Sequence, residues 1–253
     1  ILKWIEGVNK LHPVEKVFWG YRAKPQGVMS NHPGDIFLQF KNKKYLGVRL
    51  KAGGEKTDEP TLNTYVKPIY DFYGKGYEYE KLKDKLWPQY SMIPGITDAD
   101  KRLWGTQALA KKTFAFEQTD EQTYNELYDK NLAIIKDELI KLLNSDFKKT
   151  KEWLLEKVAQ QQQDVPLVVV KATDKQARRD KSSDMLVEAL ASVKKIQAMP
   201  PKGSSKQGWN IMLSDGSKLK MDFTTRTNKV GAMHKMGQFS NLAVKFNKVT
   251  SIK

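Results

Sequence analysis

Apolar positions change their period several times along the chain, and each change marks an element. Leu2, Ile5, Val8 and Asn9 recur at helical spacing, so a helix is expected over residues 2–11, ended by His12-Pro13. Residues 14–20 fit a short strand or a helical turn. Residues 36–40 and 45–51, rich in Ile, Phe, Leu, Tyr and Val around Lys41-Asn42-Lys43-Lys44, read as a β-hairpin. Residues 61–73 open a helix or an irregular segment. From 98 to 162 the period is helical. Asp98 to Asp100 follow Thr97 as a capping signal for a helix to about Phe116, and Thr119 or Asp120 caps a second. In that second helix Tyr124, Leu127, Tyr128, Leu132, Ile135, Leu139, Leu142 and Leu143 stand three and four apart. A third runs from Phe147 into the glutamines at 160–163. Residues 164–173, with Leu167-Val168-Val169-Val170 uninterrupted, predict a strand buried on both faces that joins the hairpin's sheet.

Beyond it, Ser182-Ser183-Asp184 caps a helix expected over residues 185–199, and Pro200 to Ser205 is the clearest linker in the chain. The rest reads as strands at 209–213, 218–224 and 242–246, the first two joined by a turn containing Asp215-Gly216. The expected fold class is α/β (α+β), with a mixed central sheet flanked by helices, a helical insertion and a C-terminal antiparallel β module. The expected domains are an α/β core from 1–97 and 163–200, the insertion 98–162, and a basic module 201–253.

Charge narrows the function. Among 253 residues, 44 Lys and Arg stand against 29 Asp and Glu, a net charge of +15 that favours a polyanionic partner. Residues 201–253 hold ten of these cations and only two carboxylates, so about half of the excess lies in a fifth of the chain. Nucleic acid, DNA first, is the expected partner, and no membrane is expected because no apolar run nears the ~18 residues of a span. With no cysteine, disulfides, thiolate zinc and a Cys nucleophile are excluded, which fits a reducing, cytoplasmic location. The first residues show no signal-peptide pattern.

The hairpin carries the candidate chemistry. Asp35 opens its first strand just after Pro33-Gly34, and Lys51 closes the second just before Gly53-Gly54. Alternation places Gly47, Arg49 and Lys51 on one face of the second strand. A two- or four-residue connection sets Asp35 opposite Leu50, on the wrong face for Lys51, whereas an odd-length turn or a bulge brings the two together. An Asp at a strand start, followed on the next strand by a Lys two residues beyond a polar position, resembles the core of the PD-(D/E)xK, or restriction-endonuclease-like, nuclease superfamily.

The resemblance implies a metal-dependent endonuclease. Asp35 would hold Mg²⁺ or Mn²⁺ and Lys51 would orient the attacking water. It also marks a departure, because Arg49 stands at the usual acidic position. Glu15, or Glu6, from the segment ahead of the hairpin is the expected replacement ligand. Residues expected to grip nucleic acid are Arg22 and Lys24 in the loop 21–27, Arg49, Arg178 and Arg179 after the buried strand, and Arg226, Lys229 and Lys235 in the tail. Tyr65, Tyr70 and Tyr73 among lysines are candidates for stacking on bases. The competing reading is a non-catalytic DNA- or RNA-binding protein on a degenerate nuclease scaffold, in which Arg49 contacts phosphate.

Overall fold

Helix α1 (Leu2–Leu11) forms where the sequence places it, and His12, extended at φ −137°, ends it. Its apolar side chains Ile1, Trp4, Ile5 and Val8 lie against Ile36, Leu38, Val48 and Val170, the centre of a hydrophobic cluster. In a computed structural model of the chain, the described residues are all except 21, 53–62, 162–163, 174, 202, 204, 215–218, 228–234, 238–241 and 252–253. The side chains at 63, 182, 226, 227 and 242–251 also lie outside the description. The fold is mixed α+β and divides into two compact units, each assembled from two separate stretches of chain: residues 1–59 with 152–192, and 60–151 with 193–253. These limits differ from the sequence-based ones. Residues 60–97 and the helices after them share a unit with the C-terminal strands, and residues 193–200 leave the first unit.

The first unit is built on a five-stranded mixed sheet in the order β1 (Val14–Trp19), β2 (Ile36–Phe40), β3 (Tyr45–Ala52), β5 (Leu167–Ala172), β6 (Ala177–Asp180). The first three strands form an antiparallel meander, and β5 then lies parallel to β3 with Lys51 beside Lys171. The expectation that the Val-rich strand joins the hairpin holds. Arg178 and Arg179, expected in a loop, belong to edge strand β6. Helix α7 (Ser182–Ser192) ends earlier than its apolar spacing suggests, and Lys195–Met199 is instead a strand of the second unit.

The hairpin connection is odd in length. Gln39 pairs with Tyr45, and Phe40 both donates its N–H to the Lys44 carbonyl and accepts from Lys43 N. That is a type I turn followed by a left-handed residue, Lys43 at φ 64°, a geometry that usually recruits glycine. A non-glycine residue pays about 1–2 kcal/mol there. Lys43→Gly is therefore expected to raise stability by about 0.5–1 kcal/mol, since the Lys43–Glu15 ion pair that it loses is exposed and screened by water. Urea denaturation of the two proteins checks it, and a less stable variant would mean that the lysine's contacts outweigh its backbone strain.

The second unit sets an antiparallel sheet beside helices. Its strand order is β4 (Asn63–Tyr65), β10 (Leu242–Ser251), β9 (Leu219–Thr227), β8 (Gly208–Ser214), β7 (Lys195–Met199). Helix α2 (Val66–Phe72) is followed by α3 (Gly76–Ser91), a helix not expected from the sequence. The helix expected from 98 to 116 is split into a 3₁₀ turn, Asp98–Leu103, and α4 (Gln107–Thr119), with Gly105 at φ 74° between them. The Thr97–Asp100 capping box forms as read. Helix α5 (Glu121–Asn144) starts on an Asp120 cap that accepts Thr123 N–H. Its last residue, Asn144, shields the outer edge of β7: the side-chain amide donates to the Ala198 carbonyl at 2.9 Å and accepts Ala198 N–H at 2.8 Å. Helix α6 (Phe147–Trp153) carries the chain back to the first unit, whose next element is a π-helical turn, Leu154–Val158. Among the described residues no helix is long and apolar enough to cross a membrane.

Candidate nucleic-acid interface

The odd turn decides which residues meet. Pairing ends at Ile36 with Val48, and Asp35, just ahead of it, stands close enough to Arg49 for its charge to act on the guanidinium, while alternation along β3 puts Gly47, Arg49 and Lys51 on one face. Pairing across β3, β5 and β6 extends the rows. Arg49 lies next to Val169 and Val169 next to Asp180, while Lys51 lies next to Lys171 and Lys171 next to Arg178. One face of the first unit's sheet thus carries Arg49, Lys51, Lys171 and Arg178 on three neighbouring strands, with Asp180 on the same face and Asp35 near Arg49. Lys171 was not singled out in the sequence, since it follows an apolar run. Its ammonium stands 3.5 Å from the Asp180 carboxylate, whose side chain is only 9% exposed.

Arg49 is half-buried. Loss of hydration draws its guanidinium below the ordinary arginine pKa, and the Asp35 charge opposes that fall. Asp35 is tied into the backbone as well. Its N–H donates to the Val48 carbonyl at 2.9 Å, its carbonyl accepts Gly20 N–H, and its Oδ2 accepts Leu50 N–H at 2.7 Å. The carboxylate therefore terminates the β2–β3 ladder, a charge-assisted bond that fixes its position.

A buried histidine holds the turn that delivers Asp35. His32 is 1% exposed. Gly34 N–H donates to Nδ1 at 3.0 Å, so Nε2 carries the proton and donates to the Val165 carbonyl at 2.9 Å. Its ring packs edge-on to Phe37, at 5.0 Å between centroids, and occupies the space above Gly47, where an added Cβ would come within 2.5 Å of Cε1. Nothing in the sequence around His32 distinguishes it from the other two histidines, because its partner at Val165 is 133 residues away.

The other expected site residues are dispersed. Glu15 does not join Asp35. It sits by a bulge in β1 near the turn end of the hairpin, where Lys43 bonds it and holds its carboxyl below the usual range. Asp35 is at the opposite end of β2, about 15 Å away at ~3.4 Å per residue. Asp180 lies three strands from Asp35, about 14 Å at ~4.8 Å per strand. A shared Mg²⁺ needs carboxylate oxygens within 2.0–2.1 Å of one ion. Asp35 and Glu15 therefore do not share one Mg²⁺ or Mn²⁺ ion, and among the described residues no group of three or more His, Cys, Asp or Glu is placed to hold a metal ion.

Lys24, expected to grip phosphate, is a clamp instead. Its Nζ donates to the carbonyls of Gly20 at 2.7 Å and Gly34 at 2.8 Å and lies over the Phe37 ring. Lys24→Met keeps the stem and removes the donor, and is expected to lower stability by about 2 kcal/mol in a denaturant titration. A change below half of that would show that water replaces the ammonium at both carbonyls. Arg22 is exposed in the same loop. Arg179 points to the face opposite Arg178 and pairs with Asp184 at 2.7 Å. Lys235 is turned inward, bonded to Glu117 and Asn125 and set over Tyr124. Lys229 and the Arg226 side chain lie outside the described residues, as do Gly53 and Gly54. Of the tyrosines expected to stack on bases, Tyr70 is buried, and Tyr73, bonded to Thr150 with its hydroxyl pushed up to about 12 by burial, serves packing. Comparison with protein-family models, with curated proteins and with solved structures finds no match to this chain.

Proposed function

We propose that the protein binds nucleic acid, DNA in the first instance, through the basic face of the first unit's sheet. The observation that carries this reading is the set Arg49, Lys51, Lys171 and Arg178 on adjacent strands of one face, four cations that share it with the Asp180 carboxylate. Strand pairing fixes their spacing in advance, so contacts to successive phosphates order little beyond the side-chain ends. Arg49 is held beside Asp35 with part of its hydration already removed, which favours a charge-assisted bond to an incoming oxyanion. The net charge of +15 adds a long-range attraction of the same sign.

The test is fluorescence anisotropy with labelled DNA across a salt series. Affinity is expected to fall linearly with salt on logarithmic axes, and Arg178→Ala or Lys51→Ala to weaken binding and lower the slope by about one each. Salt-independent binding, or variants that match the parent, would remove the interface. Phosphodiester hydrolysis is the second reading, and the Asp35 carboxylate near Arg49, two residues before Lys51 on the same strand face, favours it. Cleavage of plasmid by the purified protein with Mg²⁺ or Mn²⁺, lost on Asp35→Ala and on Lys51→Ala, would establish it.

A further inference from the structure

At the tip of the β2–β3 hairpin a recess of about 520 Å³ opens between the end of α1 and the turn. Its walls are largely apolar, Pro13, Phe40, Tyr45, Leu46 and Pro166 with Asn42 at the turn, and the His12 ring stands edge-on to Phe40 at 6.1 Å and 69°. Two rings set at a steep angle form a corner in which a third flat ring lies against one and edge-on to the other. Only Lys41 and Lys44 bring charge to the lining, both exposed, three residues apart, and no carboxylate joins them. Neighbouring Lys43 is engaged by Glu15, and the Asn42 side chain accepts Lys44 N–H, so the turn itself is held in shape.

We infer that this recess holds one unpaired base of a single-stranded nucleic acid, with Lys41 and Lys44 on the phosphates to either side. The inference rests on the nucleic-acid reading above but on a different group of residues, beyond the row at Arg49. The chemistry of the lining selects the occupant. A volume of this size suits a small flat ring system. Cations with no carboxylate at the rim call for an anionic chain, and a nucleotide strand supplies both. With few polar groups in the lining, capture rests on stacking more than on reading a base edge and tolerates any base. A paired base has no free face and cannot enter, so the recess discriminates single strand from duplex.

The experiment measures anisotropy of labelled oligo(dT), oligo(dA) and a duplex of equal length against the parent, His12→Ala and Lys44→Glu. His12 and Lys44 are both exposed, and circular dichroism confirms that the variants fold. His12→Ala is expected to weaken both single strands by about fivefold or more, Lys44→Glu likewise, and neither to change duplex affinity by more than about twofold. A 2-aminopurine placed within the single strand is expected to lose fluorescence on binding the parent and to regain it with His12→Ala. If single strands bind but the His12 and Lys44 variants match the parent, or if single strand and duplex lose affinity equally, the recess is not a base site while the basic face stands. If no nucleic acid binds the parent at all, the broader reading falls with it.

Discussion

Replacing His32 by alanine is expected to lower the stability of the first unit by about 3–5 kcal/mol. Three losses add. A fully buried ring disappears from the space it fills above Gly47, the Gly34 N–H and the Val165 carbonyl lose their partners inside the protein, and Phe37 loses its edge contact. Each orphaned group alone costs about 1–3 kcal/mol when water cannot reach it. Urea denaturation measures the change, and a loss below about 1 kcal/mol would show that water enters and satisfies both groups. Gly47→Ala probes the same contact from the other side. Gly47 lies between Phe37 and Leu167 in a strand paired on both edges, so the backbone has little room to yield to a Cβ 2.5 Å from the imidazole. Because the same ring holds the turn before Asp35, both variants are expected to disturb the basic face before the sheet itself melts.

Arg49→Glu is expected to weaken DNA binding by about a hundredfold. A charge-assisted bond from a guanidinium to phosphate is worth about 1.5–3 kcal/mol, and the new carboxylate adds repulsion where the site is partly shielded from water. Arg49→Met, which keeps the stem and removes only the charge, should give about tenfold. The ordering matters more than either value. If the methionine and glutamate variants bind alike, Arg49 acts by packing, and the phosphate contacts lie with Lys51, Lys171 and Arg178. If both bind as the parent does, the sheet face is not the interface.

The sequence made some of this visible and hid the rest for definable reasons. The α1 stripe, the two hairpin strands, the Val-rich strand and the α5 stripe each announce themselves within a few residues, since local period and β-branching suffice. Which residues of β2 and β3 face one another was not visible, because the turn seats a lysine, not a glycine, at its left-handed position. Residues 185–199 look like one helix, since Leu186, Ala189, Leu190, Val193 and Ile196 keep helical spacing. Pairing of 195–199 with β8 overrides that local pattern. Helix α3 escaped notice because Pro88 sits inside it and its buried residues are largely tyrosine and tryptophan. Lys171 and Asp180 became site residues only through strand neighbours far away in the chain. Conversely, Lys24 and Lys235 show that a basic residue in a basic segment still turns inward when carbonyls or a carboxylate await it.

The route from β3 to β5 has a consequence for biosynthesis. Strand β3 ends at Ala52 and its parallel neighbour begins only at Leu167, after the first stretch of the other unit has been made. At ribosomal rates of ~5–20 residues per second, the nascent meander waits roughly 6–23 s with one side of β3 lacking its final neighbour. The second unit waits in turn for its C-terminal strands. Neither half can be produced as one uninterrupted fragment, and truncation between residues 52 and 167 would release a three-stranded sheet with a sticky, unclosed margin.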